Sequence, residues 1–116
     1  MADPSPRDEA LLEHDPVLRA IVARLVAAYQ PERIYLFGSR ARGDATADSD
    51  YDLLVVVPDD APPERQQARL AHEVLWGVHA AADVVVWTRA AFERRAHVTS
   101  SLPAVVLREG RLLHAA

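Results

Sequence analysis

Two short runs of β-branched, aliphatic and aromatic residues, Ile34-Tyr35-Leu36-Phe37 and Leu53-Leu54-Val55-Val56-Val57, stand on either side of fifteen mostly polar residues, Gly38 to Asp52. Each run has the length and residue types of a buried strand, and each is closed by a breaker, Gly38 or Pro58. A connection this long between two buried strands is uncommon and is more often functional than idle. A chain of 116 residues has room for one domain with its core and little for a second module. The Arg, Asp, Ser and Gly residues between the two runs are therefore where chemistry is expected.

The flanking sequence supplies the rest of a single α/β unit. Residues 1–14 mix Asp, Pro, Ser and Glu with two adjacent leucines and read as a mobile arm, leaving 15–116 as the domain. Asp15 followed by Pro16 is a helix N-cap with proline at the first helical position. Val17, Leu18, Ile21, Val22, Leu25, Val26 and Tyr29 continue one apolar stripe until Pro31. Pro62-Pro63-Glu64 opens a second helix, with Leu70, Ala71, Val74, Leu75 and Val78 on its stripe, expected to end near Ala80. Asp83 to Trp87 is a third strand. Thr88 caps a short helix through Arg94, a further helix runs from about Ser101 to Arg108 before Gly110, and Arg111 to His114 forms a short edge strand. This order predicts helices packed on a small mixed sheet, with the second and third strands joined by a parallel right-handed crossover.

Composition removes several kinds of chemistry. There is no Cys, so disulfides, thiolate metal sites and a cysteine nucleophile are excluded. All 13 basic residues are Arg, which excludes a P-loop lysine and a Schiff base. A formal charge of -4 argues against broad binding of DNA or RNA, so phosphate chemistry would have to be local. No stretch approaches the ~20 apolar residues of a membrane span and the amino terminus lacks an apolar signal core, which predicts a cytoplasmic protein.

Asp50 and Asp52 stand two apart at the entry to the second strand, so their side chains share one face with Cα atoms about 6.8 Å apart, while Tyr51 points the other way. The parallel crossover brings Asp83, at the start of the third strand, beside that pair. Two carboxylates about 7 Å apart repel by roughly 2 kcal/mol at an effective dielectric constant near 20. A divalent cation relieves that conflict, and an all-oxygen ligand set suits Mg²⁺ or Mn²⁺. If the first strand runs antiparallel to the second, Gly38 and Ser39 arrive at the same corner. Gly38 then allows close backbone approach to a phosphate, Ser39 offers a hydroxyl and an amide, and Arg40 and Arg42 add positive charge.

Gly38-Ser39, ten intervening residues and Asp50-Tyr51-Asp52 resemble the G-S-x10-D-x-D signature of the polymerase-β-like nucleotidyltransferase superfamily. The run from Gly38 to Gly43, with Ser49 to Leu53, is similar to its minimal single-domain branch. The resemblance covers about two thirds of the chain, from the first helix to the third strand. It implies that Gly38 and Ser39 hold nucleotide phosphates, that Asp50 and Asp52 bind metal, and that Asp83 completes the metal triad and assists deprotonation of an acceptor hydroxyl. The activity implied is transfer of AMP from ATP to a hydroxyl with release of pyrophosphate, supported by two ions, Mg²⁺ or Mn²⁺. Minimal members are commonly paired, as antitoxins, with HEPN-domain ribonuclease toxins, and some transfer AMP to a toxin tyrosine. The partner implied is thus an HEPN toxin, in a homo- or hetero-oligomer. Transfer to a small-molecule hydroxyl, or neutralisation by binding without catalysis, are the alternatives.

Arg42 is carried as a nucleotide-binding candidate against a solvated helix face, and Ser49 against a turn-capping role. Arg40 is weighed the same way as Arg42, with less weight on phosphate. His72 and His79 are expected on one face of one helix without forming a metal site. Trp76 and Trp87 are read as core or interface anchors.

Overall fold

The computed structural model describes residues 7–116. Four strands, β1 (Arg33–Phe37), β2 (Tyr51–Val57), β3 (Ala82–Thr88) and β4 (Arg111–Ala115), form one sheet in the order β3-β2-β1-β4. β1 pairs antiparallel with both β2 and β4, and β2 pairs parallel with β3, as the crossover requires. The expected α/β architecture and mixed sheet are present, and the edge strand expected over Arg111 to His114 runs one residue further, to Ala115.

Strand alternation divides the core into two layers. Ile34, Leu36, Leu53, Val55, Val57 and Val84 face helix α2 (Pro16–Tyr29) and meet Leu18, Ile21, Leu25 and Tyr29. On the other face Tyr35, Leu54 and Val56 meet Phe92 of α5 (Arg89–Ala96) and Val106 of α6 (Leu102–Glu109). There the Tyr35 and Phe92 rings stack with centroids 5.9 Å apart. The caps fall where the sequence places them. Asp15, Thr88 and Ser101 accept the N–H of Leu18, Ala91 and Ala104 at the starts of α2, α5 and α6. No described helix is long and apolar enough to cross a membrane.

Two expectations are corrected. From Asp8 onward, the arm expected over residues 1–14 is helical and folded against the domain. Asp8 caps α1 (Glu9–His14) through the Leu11 N–H, and its own N–H donates to the Leu112 carbonyl at 2.7 Å. Leu11 and Leu12 pack on the α2 layer, which gives this segment its reason to order. Residues 1–6 of that expectation lie outside the described residues.

The helix expected from Pro62 to about Ala80 is broken into a 3-10 turn, Pro63–Gln66, and a short α4, Arg69–Val74. The Tyr29 hydroxyl occupies the break. It donates to the Gln67 carbonyl and accepts the Ala71 N–H at 2.9 Å, so groups that a continuous helix would pair internally are satisfied by a side chain. Arg24 donates to the Val74 and Trp76 carbonyls at 3.1 and 2.9 Å and ends α4, and Gly77 turns the chain away at φ +88°. Leu70, Val74, Leu75 and Val78 nonetheless all pack on the core, so the apolar stripe predicts burial even where the helix does not continue.

A short α3 (Ser39–Arg42) follows β1 directly, with Gly43 at φ +87° as its left-handed cap. Its position sets the geometry of the site.

Candidate active site

The sheet register brings the predicted residues to one edge. Asp52 lies opposite Phe37, the last residue of β1, and beside Asp83 in β3. Adjacent strands are spaced about 4.8 Å apart, so the Asp52 and Asp83 backbones are as close as two strands allow. Asp52 and Asp83 share their face with Leu54 and Val85, on the α5/α6 side of the sheet. Asp50, exposed, sits one residue before β2.

Gly38 is the tightest element of this corner. Its φ of +76° lies in the region that L side chains avoid, and a Cβ there would collide with the Asp52 carboxylate, reaching 3.2 Å from Cγ. The turn out of β1 therefore rests its bare backbone directly on Asp52. The Gly38 carbonyl accepts the N–H groups of Ala41 and Arg42, both at 3.1 Å, which starts α3 immediately after the turn.

The charges sense each other as the close approach requires. The Asp52 carboxyl is held above the usual carboxylate range, first by desolvation, then by the negative charges of Asp83 and Asp50, against a lowering influence from Arg42. Arg42 thus directs positive charge at the acidic corner, while making a partly exposed 3.4 Å ion pair with Asp44. Among the described residues, no three His, Asp or Glu side chains close around one point as a ready-made cage. The donor set nonetheless fits a hard dication: carboxylate oxygens alone, with Asp52 disfavoured as an anion by burial and its two neighbours, in a corner that a Cβ would fill.

The other candidates sort by their contacts. Ser39 is the first residue of α3, next to the Gly38 turn. The Ser49 hydroxyl accepts the Thr46 N–H at 2.9 Å and closes a turn, the capping role set beside nucleotide contact. Tyr51 points away from the carboxylates, as alternation predicts, and is buried against α2. Two ties around it were not anticipated. Its hydroxyl donates to Asp15 at 2.8 Å, and the Arg40 guanidinium lies 4.0 Å above its ring centroid. The signal was available in the Asp15 cap and in the inward parity of Tyr51.

A larger cavity of about 430 Å³ lies away from the carboxylates, on the opposite face of β3, lined by Ala82 and Val84 and by His72, Trp76 and His79. His79 is beyond the end of α4, so the two histidines share this hollow rather than one helix. Trp76 is 85% exposed, which removes it from the core, whereas Trp87 packs against the α5/α6 layer.

Comparison with known proteins bears on the fold and the family. No curated protein matches the chain in sequence. Among solved structures, a protein from Sulfolobus solfataricus assigned to the nucleotidyltransferases superposes with a TM-score of 0.56 at 21% identity, over 97% of this chain and 89% of that one. A toxin–antitoxin crystallised with AMP-PNP gives a TM-score of 0.54 at 22% identity, over 83% and 72% of the two chains. A toxin–antitoxin MntA–HpeT mutant with two aspartates, two positions apart, changed to glutamate gives 0.52 at 20% identity, over 82% and 71%. These likenesses establish a shared fold. The family model described as a nucleotidyltransferase domain matches residues 18–113, nearly the whole described domain, and the chain belongs to that family.

Proposed function

We propose that this protein is a metal-dependent nucleotidyltransferase that moves AMP from ATP to a hydroxyl, a tyrosine's, on a partner HEPN ribonuclease toxin, and so acts as its antitoxin. The observation that carries the reading is the Gly38 turn resting on Asp52, with Asp83 in register beside it. The fold shared with toxin–antitoxin structures, one of them holding an ATP analogue, supports the choice of nucleotide and partner. A reaction that consumes ATP against an intracellular ribonuclease belongs in the cytoplasm.

Asp50, Asp52 and Asp83 would hold Mg²⁺ or Mn²⁺, two ions in the pattern the family resemblance implies. Bound there, dications would offset the carboxylate repulsion and the charge developing on the triphosphate. Gly38 and Ser39 present backbone N–H groups, and Ser39 a hydroxyl, to the phosphates. Arg42 adds a cation on the same side. The acceptor oxygen forms a bond to the α-phosphorus as the bond from that phosphorus to pyrophosphate breaks, and Asp83 takes the acceptor's proton. With β3 at the sheet edge and Asp83 exposed, a separate macromolecule can bring its hydroxyl to this corner.

The test is incubation with labelled ATP, Mg²⁺ and the HEPN protein. The partner should become labelled, and Asp50→Ala with Asp52→Ala should abolish labelling while complex formation persists. Labelling that survives the double substitution would remove the assignment. Neutralisation of the toxin without any transfer would favour the binding-only alternative.

A further inference from the structure

We propose that Arg40, braced by Tyr51 and Asp15, is a positioning residue that fixes the direction of the Asp50 carboxylate; the inference rests on the proposed metal-binding role of Asp50. The argument is geometric. The Arg40 side chain turns back across its own loop and donates to the Ser49 carbonyl twice, from Nε at 3.0 Å and from a terminal nitrogen at 2.8 Å. The same terminal nitrogen also reaches the Ala47 carbonyl at 3.5 Å. One face of the guanidinium is seated on the Tyr51 ring at 4.0 Å.

Tyr51 is itself held. Its hydroxyl donates to Asp15 Oδ2 at 2.8 Å, and Asp15 Oδ1 accepts the Leu18 N–H at 3.0 Å as the cap of α2. A continuous chain of polar contacts therefore runs from the start of α2, beneath the sheet, to the carbonyl just before Asp50. It passes along a hollow of about 190 Å³ lined by Asp15, Leu18, Leu36, Arg40 and Tyr51.

The consequence falls on Asp50. The Ser49 carbonyl belongs to the peptide unit on its amino side, and Arg40 holds that unit. The Tyr51 N–H belongs to the peptide unit on its carboxyl side, and it donates to the Ala81 carbonyl at 2.9 Å. With both flanking peptide planes fixed, the Cα–Cβ direction of Asp50 is fixed as well, because the backbone has only two soft torsions per residue. Asp50 precedes β2, so the strand ladder does not do this for it. Asp52 needs no such brace: it is within β2 and packed on Gly38. Arg40 is therefore engaged on the far side of Tyr51 from the carboxylates, and Arg42 is left as the loop cation facing them.

The test compares Arg40→Ala, Arg40→Lys and Tyr51→Phe with the unaltered protein by two measurements. One is amide hydrogen exchange without metal, and the other is Mn²⁺ affinity by electron paramagnetic resonance. Arg40→Ala should speed exchange over residues 47–51 while leaving 53–57 unchanged, and should weaken Mn²⁺ binding about tenfold to hundredfold, the range for loss of a group that orients a metal ligand. Arg40→Lys keeps a charge over the ring but loses the two-pronged bond, so it should restore only part of the affinity. Tyr51→Phe keeps the ring and releases Asp15, and should produce the smallest loss of the three.

Unchanged exchange at 47–51 with unchanged Mn²⁺ affinity in Arg40→Ala would overturn the proposal. So would faster exchange spread equally through β2 in both Arg40 variants, which is the mark of a merely structural residue. If the unaltered protein binds no Mn²⁺, the proposed function fails and takes the role assigned to the brace with it. The exchange arm then still reports whether Arg40 holds the loop, so the two failures are told apart.

Discussion

Two long connections join the three strands that carry the site, and they are secured in opposite ways. The first, residues 38–50, joins antiparallel neighbours, where two residues would suffice, and its extra length is occupied by charged and small polar side chains. It is fixed mainly from within, by the Gly38 backbone on Asp52 and by Arg40 on Ser49, with one tie from β4, Arg111 donating to the Ala41 carbonyl at 3.3 Å. The second, residues 58–81, joins parallel neighbours and must be long. It is fixed from outside, by Tyr29 and Arg24 of α2, which take over hydrogen bonds that a continuous helix would have made itself. Surplus length in the first connection marks function, whereas required length in the second marks topology.

The sharpest way to break this comparison is Gly38→Ala. A Cβ at φ +76° would strike Asp52, so the turn must move. Displacements of about 1 Å near reacting groups cost on the order of 100-fold in rate, and transfer of label should fall by at least that much. A variant that retained full transfer would show that the turn does not position the phosphates. Chemistry is lost here with the core intact.

The matching change in the second connection is Tyr29→Phe. It leaves the ring in place and removes the hydroxyl that serves Gln67 and Ala71. The Ala71 N–H keeps the Ala68 carbonyl at 2.9 Å, so what is lost is ordinary hydrogen bonding, about 0.5–1.5 kcal/mol per bond. Urea unfolding should show that loss, with Mn²⁺ affinity unchanged. An equal loss of Mn²⁺ affinity would mean that the two connections are coupled and that the distinction drawn above is wrong.

A smaller effect concerns pH. In the folded protein, desolvation and the charges of Asp83 and Asp50 hold the Asp52 carboxyl above the usual carboxylate range. The folded state therefore binds the proton more tightly than the unfolded state does. The resulting stability is fully present below the unfolded value and is lost as pH rises through the folded one. Without divalent metal, Asp52→Asn should raise the melting temperature at neutral pH, and the gain should shrink toward zero in acid. A variant less stable than the original at neutral pH would place the repulsion elsewhere.

Most of what positions the site was legible from residue pattern. Alternation placed Asp50 and Asp52 opposite Tyr51, the helical segment between the second and third strands predicted the parallel crossover, and Asp83 followed from strand order. The caps at Asp15, Thr88 and Ser101 were legible because their side chains act on neighbours in sequence. What escaped were contacts made across the fold by long polar side chains. Tyr29 interrupts a helix some 40 residues away, with |i−j| of 38 and 42. Arg24 ends it from a similar distance, and Tyr51 finds Asp15 with |i−j| of 36. An apolar stripe records which side of a segment is buried. It does not record whether a distant hydroxyl or guanidinium will offer the backbone a better partner than its own helix, which is why the stripe from Leu70 to Val78 packs on the core as expected while the helix, expected from Pro62 to about Ala80, spans only Arg69–Val74.

The measurement that bears most directly on the acidic corner is thermal unfolding with Mg²⁺ alone, ATP alone and both together, repeated with Asp52→Asn. A ligand that binds only the folded state raises the melting temperature with its occupancy. If the carboxylates and the Gly38 turn form one site for a metal-bound nucleotide, Mg²⁺ with ATP will raise the midpoint by more than the two separate shifts combined, and Asp52→Asn will erase that excess. A midpoint that stays level in all three conditions, or an excess that persists in Asp52→Asn, would contradict the account.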